Sequence, residues 1–296
     1  MSKNLISIIL PAKNEANSLS KLLPELIALK FFHEIIVVDD GSTDNTIDVC
    51  KNHNIVLISH PYSKGNGAAI KTGAKAASGD IFVFMDADGQ HNPKDIHQLL
   101  TKFHEGYDLV VAARSDNAHA SLSRRLANGF YNKFSSWIVG HEILDLTSGF
   151  RVFRAELFKK ILYMLPNGFS YPTTSTIAFF RSGYSVAYLP IQVLQREDKS
   201  KSHINILKDG LRFLLIIFKV GTLYSPLKLF TPISGIFFLT GFTYYIYTYF
   251  LFGRFTNMSA LLFITSLLFF FMGLISEQIS NLQYMKEEQT NKKNES

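Results

Sequence analysis

Ile81-Phe-Val-Phe-Met-Asp-Ala-Asp-Gly-Gln-His91 is the stretch on which the reading of this chain turns. Ile81 to Met85 are apolar without alternation, as in a central strand covered on both faces. Asp86 and Asp88 follow, one residue apart, where such a strand leaves its sheet. In an open α/β sheet, ligands bind at the carboxyl ends of the strands. Two acids at that mouth suit a hard divalent cation, and the cation suits a diphosphate. A simple turn explains Asp88-Gly89 but leaves Asp86 unexplained.

Strand and helix signals alternate outward from this point. Toward the N-terminus, Leu5 to Leu10 reads as a strand stopped by Pro11. Asn17 or Ser18 caps a helix carrying Leu19, Leu22, Leu23, Leu26 and Ile27. Glu34 to Asp39 is a second buried strand, and Ser42, Thr43 or Asp44 caps the helix after it. Ile55 to Ser59 is a third strand, and Gly65 to Ala77 a small-residue helix suited to close packing on a sheet. Toward the C-terminus, Pro93 opens a helix through Phe103, and Asp108 to Ala112 is a strand ending at Arg114. Helices follow over Ser121 to Val139, Ala155 to Leu162 and Thr173 to Arg181, then a strand over Ser185 to Val193. The expected fold is α/β, a doubly wound, mostly parallel sheet.

In a parallel sheet, Asn14-Glu15, Asp39-Asp40 and Asp86-Asp88 open on one crevice. Carboxylates there suit ribose hydroxyls and the amide edge of a base. They repel bare phosphate, so a bridging cation is required. Lys64-Gly65-Asn66-Gly67 lacks the spacing of a P-loop. It reads equally as a phosphate contact or as a loop with a helix cap.

Composition narrows the function class. The 296 residues carry a net charge of +6, and no basic run with interleaved aromatics marks the soluble part for nucleic acid. A basic surface beside a membrane explains the charge better. Cys50 is the only cysteine, which excludes an intramolecular disulfide and a thiolate metal cluster. No signal peptide is expected, because the apolar run Leu5 to Leu10 is short and is ended by Pro11, Lys13 and Glu15.

After about Leu211 the chain turns apolar. Lys208, Arg212 and Lys219 punctuate a helix suited to the membrane interface. Leu229 to Gly253 is 25 residues without formal charge, and Phe255 to Ser276 is 22 more. A span needs roughly 20 apolar residues, so two transmembrane helices joined near Arg254 are expected. Cations flank both outer ends, which places both termini in the cytoplasm. The division expected is 1–203 catalytic, 204–228 juxtamembrane, 229–281 membrane-spanning (about 229–252 and 257–278) and 282–296 a disordered tail.

Four ordered motifs carry a family resemblance: Pro11-Ala-Lys-Asn-Glu15, Val38-Asp-Asp-Gly-Ser-Thr-Asp44, Asp86-Ala-Asp-Gly-Gln-His91 and Asp145-Leu-Thr-Ser-Gly-Phe-Arg151. Over about the first 210 residues the chain resembles the family-2 glycosyltransferases, within them the polyprenyl-phosphate (dolichol-phosphate) hexosyltransferases. The resemblance implies a GT-A fold, a UDP- or GDP-hexose donor, Mg²⁺ or Mn²⁺, and a polyprenyl phosphate acceptor in a lipid bilayer. It implies a donor site of Pro11, Asn14, Glu15, Asp39, Asp40, Asp86, Ala87, Asp88, Ser202 and His203. Asp86, Asp88 and Gln90 would hold the metal. Arg114, Arg124 or Arg125, and Ser148 would lie toward the acceptor phosphate, and Asp88, Arg114 and Arg196 would form the catalytic set. In the donor-closing loop Arg196 and Ser202 fit, but Ser200 stands where the family has Gly and His203 where it has Lys. A register through Ser200-Lys201 stays open.

A buried structural pair between Asp145 and Arg151 competes with substrate contact, and His91 reads as a satisfied loop histidine before a metal ligand. A processive polysaccharide synthase is disfavoured, because the only tryptophan, Trp137, follows Ser135-Ser136 and not a Gln-x-x-Arg element. A non-catalytic scaffold has no use for two acids at one strand mouth. A homo-oligomer is compatible with the exposed spans.

Overall fold

The computed structural model describes residues 4–114, 122–168, 171–193, 215, 218, 221–222 and 225–294, of which 122–128 and 283–294 by their backbone alone. It divides into two compact units, residues 1–136 with 141–206, and residues 137–140 with 207–296.

The first unit is a seven-stranded sheet with helices on both faces. Its strands are β1 (Ile6–Ala12), β2 (Glu34–Asp39), β3 (Val56–Ser59), β4 (Ile81–Phe84), β5 (Leu109–Arg114), β6 (Arg151–Arg154) and β7 (Val186–Ile191). Their order is β3-β2-β1-β4-β6-β5-β7. All neighbours pair parallel except β6, which runs antiparallel to both β4 and β5. β6 is a strand that the sequence pattern does not announce. It is a four-residue Arg-Val-Phe-Arg segment, and its terminal arginines mask an apolar pattern.

The helices are α1 (Ala16–Leu29), α2 (Thr46–Lys51), α3 (Asn66–Ala76), α4 (Asp95–His104), α5 (Leu122–Val139), α6 (Ala155–Lys160) and α7 (Tyr171–Arg181). Leu19, Leu22, Leu23 and Leu26 of α1 join Ile96, Leu99 and Phe103 of α4 on one face of the sheet, over Ile8, Leu10, Val37 and Val83. Phe82 and Phe84 point to the other face, where they meet Phe153, Phe158 and Tyr171. Covering on both faces is why β4 shows no polar alternation. α3 approaches closely: a Cβ on Gly73 would fall 3.2 Å from Val38 Cγ2.

Two boundary expectations are corrected. Pro11 does not stop β1, which runs to Ala12. The β4 ladder ends at Ile9, so the missing N–H of Pro11 falls beyond it, while pairing with β2 continues to Ala12. Neither Asn17 nor Ser18 caps α1. The cap comes from the neighbouring loop: Ala16 N–H donates to Asp44 Oδ2 at 3.2 Å and Glu15 N–H to Thr46 Oγ1 at 3.0 Å. Asp44 Oδ1 also accepts the N–H of Thr46, the first residue of α2.

The second unit contains α8 (Pro226–Phe252) and α9 (Asn257–Asn294), joined by a turn at Gly253. Pro226–Phe252 and Asn257–Leu282 are long and apolar enough to cross a membrane. Ser234 Oγ donates to Ser266 O, and Ser266 Oγ to Ser234 O, both at 2.9 Å. Gly241 and Gly273 let the helices approach, since a Cβ would fall 3.0 Å from Leu262 Cβ and 2.9 Å from Phe230 Cβ. Glu277 Oε2 accepts the Leu227 N–H at 3.4 Å, a carboxylate at the positive end of α8. α9 continues to Asn294 through residues expected to be a disordered tail. Lys, Glu and Gln are good helix formers, and a helix already nucleated extends through them.

Candidate active site

β1, β2 and β4 are parallel neighbours, so their exit loops open at one edge. Asn14 has a left-handed φ of 56°. Its N–H donates to Ser42 Oγ and its Oδ1 accepts the Thr43 N–H, each at 2.8 Å. The loops leaving β1 and β2 are thereby latched together. Pro11 and Ala87, both expected at the donor, are buried. Glu15 is half-buried and its Oε2 accepts the Ser18 hydroxyl at 3.0 Å. Asp39 is 1% exposed, and its Oδ1 accepts the Ser42 N–H at 3.1 Å. Its Oδ2 is buried with no hydrogen-bond partner among the described residues. A buried acceptor left open in this way suits a donor supplied by a ligand.

The carboxylate of Asp40, expected at the donor, is engaged by its own loop. Its Oδ1 accepts from His60 Nδ1 at 2.7 Å and Lys64 N–H at 2.8 Å, and its Oδ2 from Ser63 Oγ at 2.7 Å and Gly65 N–H at 2.8 Å. Burial alone would raise its pKa. The bonds from His60, Ser63, Lys64 and Gly65 outweigh it and hold the carboxyl down at about 2. Asp40 therefore shapes the loop from His60 to Gly65. Two N–H groups just after that loop are likewise engaged. The Gly67 N–H donates to Gly168 O at 3.0 Å and the Ala68 N–H to Asn167 O at 2.8 Å. The glycines permit this approach: a Cβ on Gly67 would fall 2.9 Å from Gly168 O.

Asp86 follows β4 and is half-buried, with Gly149 packed against its carboxylate. Asp88 Oδ1 accepts the Gln90 N–H at 3.1 Å across a turn in which Gly89 has φ of 72°. One short turn thus carries Asp88 and Gln90. His91 is buried, stacked on Phe150 with ring centroids 5.0 Å apart, and its Nδ1 has no partner among the described residues. It is not the satisfied histidine expected. Burial pushes its pKa down to about 4, so the ring is neutral at pH 7.

Arg114, at the end of β5, is bound by Asp145 through Nε at 2.8 Å and Nη2 at 3.0 Å, and also by Thr147 Oγ1. Asp145 does not pair with Arg151, contrary to the structural alternative weighed above. Arg151 is fully buried and bonds to carbonyl and hydroxyl oxygens instead. Burial raises the Asp145 pKa, but bonds from Arg114, Thr147 and the Arg114 N–H bring it below the ordinary carboxylate value. Arg114 feels the charge of Asp86, and His91 feels Asp88, Arg114 and Asp145, so these groups form one electrostatic cluster. Ser148, expected toward the acceptor, is buried, and its Oγ accepts the Phe150 N–H at 3.3 Å. Arg196, Ser202 and His203 lie outside the described residues, as do the side chains of Arg124 and Arg125 on α5.

Among the described residues, no group of three His, Cys, Asp or Glu side chains converges as a closed metal site. Asp86 and Asp88, with Gln90, would offer a smaller, all-oxygen donor set. That fits Mg²⁺ or Mn²⁺, which keep places for water and phosphate oxygens. A closed protein cage would exclude a diphosphate.

Residues 7–162, just over half of the chain, match the family described as Glycosyl transferase family 2. The chain belongs to glycosyl transferase family 2. Residues 225–282 match the GtrB C-terminal hairpin, which coincides with α8 and the apolar part of α9. This family-2 chain is 29% identical to an uncharacterized protein of Methanocaldococcus jannaschii, over 74% of this chain and 94% of that one. It is 27% identical to undecaprenyl-phosphate 4-deoxy-4-formamido-L-arabinose transferase of Photorhabdus laumondii, over 94% of this chain and 89% of that one. Glucosyl-3-phosphoglycerate synthase of Mycobacterium tuberculosis, solved with Mn²⁺ and UDP-glucose, has a TM-score of 0.59 and 23% identity, over 72% of this chain and 79% of that one. The shared fold is GT-A-like, with the parallel sheet and flanking helices described above.

Proposed function

We propose that this glycosyltransferase moves a hexose from a nucleoside diphosphate sugar to a polyprenyl phosphate at the cytoplasmic face of a membrane, with Mg²⁺ or Mn²⁺ and inversion at the anomeric carbon. The observation that carries this reading is that one chain joins a family-2 domain, with Asp86 and Asp88 at the β4 exit, to a GtrB-type hairpin. The Photorhabdus relative bears undecaprenyl phosphate in its name, which supports a lipid phosphate acceptor.

In this reading Asp39 receives an N–H or O–H of the nucleoside on its open Oδ2. Asp86 and Asp88, with Gln90, would hold the cation, which would supply positive charge for the departing diphosphate. The nucleophile is a phosphate oxygen, already anionic near neutral pH because the second pKa of a phosphate monoester is about 6. No strong base is needed, and neutral His91 adds no positive charge. What the site must do is bring two anions together, and Arg114, fixed by Asp145, supplies a permanent cation for that purpose. Arg196 in the donor-closing loop would supply a second.

The test is transfer of radiolabelled sugar into the organic phase by membranes carrying the protein. The donor panel should include UDP- and GDP-hexoses and a UDP-aminoarabinose derivative, with polyprenyl phosphate and Mg²⁺. Labelled lipid from wild type and at most a trace from Asp88→Ala is expected. Full activity of Asp88→Ala would refute the assignment of the carboxylates. A wild type inert with every donor would favour a scaffold.

A further inference from the structure

The turn from Asp145 to Gly149 has two working sides. Toward the crevice, Asp145 fixes Arg114, and Gly149 lies so close to Asp86 that a Cβ there would fall 2.7 Å from both Cγ and Oδ1. Behind the turn, three of its carbonyls are gripped by buried side chains. Tyr171 Oη donates to Gly149 O at 2.8 Å. Arg151 donates through Nε to Ser148 O at 2.6 Å and through Nη2 to Leu146 O at 3.2 Å. Its Nη1 ties the same guanidinium to α7, through Pro172 O at 2.9 Å and Thr176 Oγ1 at 2.6 Å.

A buried cation is a costly way to hold a strand, and strand pairing does not ask for it. Arg151 stands between Phe84 of β4 and Val111 of β5 in a row where an apolar side chain would pair as well. Asp86 lies within electrostatic range of both Arg151 and Tyr171, so the charge beneath the turn is felt by the carboxylate on its front. We propose that Arg151 and Tyr171 are positioning residues for Asp86: they fix the carbonyls of Leu146, Ser148 and Gly149 and so press the bare backbone of Gly149 against the carboxylate. Gly149 is the contact point, and any side chain there displaces a metal ligand. This inference rests on the reading of Asp86 as a cation ligand.

The experiment is Mn²⁺ binding, read by the electron paramagnetic resonance of free Mn²⁺ at a temperature well below melting. The full chain is used in detergent as wild type, Tyr171→Phe, Gly149→Ala, Asp86→Ala and Leu23→Val. Tyr171→Phe keeps the buried ring and removes only the hydroxyl held by Gly149 O. It should fold as wild type and weaken Mn²⁺ about tenfold, the low end of what outer-shell partners contribute, and Gly149→Ala should weaken it more. Leu23→Val, in the core on the opposite face of the sheet, should lower the melting temperature without changing Mn²⁺ affinity. Wild-type affinity in a folded Tyr171→Phe would overturn the proposal even if Gly149→Ala failed to fold. If wild type and Asp86→Ala bound Mn²⁺ equally, the reading of Asp86 as ligand would fall and this inference with it.

Discussion

Asp145 holds Arg114 side-on, with Nε and Nη2 donating to its two carboxylate oxygens at 2.8 and 3.0 Å. The same carboxylate accepts the backbone N–H groups of Thr147 and Ser148. One side chain thus sets both the shape of the turn and the direction of the cation. Asp145→Asn should reduce turnover about tenfold or more through misplacement of Arg114, as a loss of pre-organised charge does. It should also destabilise the fold by about 2 kcal/mol. That is less than for a fully buried pair, because Arg114 is 36% exposed. Arg114→Lys keeps the charge but loses the two-pronged bond, and should rescue turnover only in part. Steady-state kinetics and thermal melts of the three proteins check this.

Asp40 makes the fold sensitive to acid. Its folded pKa, about 2, lies below the ordinary value of 3.8, so its contribution is fully present above about pH 4 and is lost as pH falls toward 2. The amount is about 2 kcal/mol. Urea melts of wild type between pH 7 and pH 2.5 should show this decline. Asp40→Asn should start less stable and show a shallower slope, and an unchanged slope would refute the role given to this carboxylate.

The loop and the α3 N-terminus depend on bare glycines. Gly65 has φ of 101° and Gly67 leaves no room for a Cβ beside residues 166 and 168. Gly65→Ala should cost about 1–3 kcal/mol from backbone strain alone, and Gly67→Ala should cost stability through displacement of the 166–168 segment. Neither should alter Mn²⁺ affinity in protein that remains folded, which separates this region from the Asp86 turn. Thermal melts with parallel Mn²⁺ titrations measure both.

The hairpin is held by small residues and a paired serine clasp. Ser234→Ala and Ser266→Ala should each weaken it, and the double variant should lose less than the sum. The coupling expected is about 0.6 kcal/mol, typical of such bonds between membrane helices. Gly273→Leu should be worse than either, because Phe230 already occupies that space. Unfolding of wild type and the four variants in mixed micelles decides it.

The frame of the fold was legible because β1, β2 and β4 are covered on both faces and therefore almost continuously apolar, and because each is followed by polar residues at the crevice. What stayed hidden was set by contacts distant in sequence. β6 is short, antiparallel and bounded by arginines, and only its two partners make it a strand. The cap of α1 comes from Asp44 and Thr46, nearly 30 residues away by the register of the bond from Ala16 to Asp44. Asp39 and Asp40 are indistinguishable as neighbours in a motif. Strand alternation turns them apart, leaving Asp39 with an open oxygen and committing Asp40 to His60 and its loop. Gly149 reads as an ordinary turn glycine until Asp86 is seen against it.

The most direct test of the central claim uses the purified full chain in lipid nanodiscs with polyprenyl phosphate, its best nucleotide sugar and Mn²⁺, and follows lipid-linked sugar by mass spectrometry before and after chelation. Product that stops on chelation, returns with fresh Mn²⁺ and is absent in Asp86→Ala and Asp88→Ala is the expected result. Product formed at an undiminished rate under excess chelator, or by either variant, would contradict it.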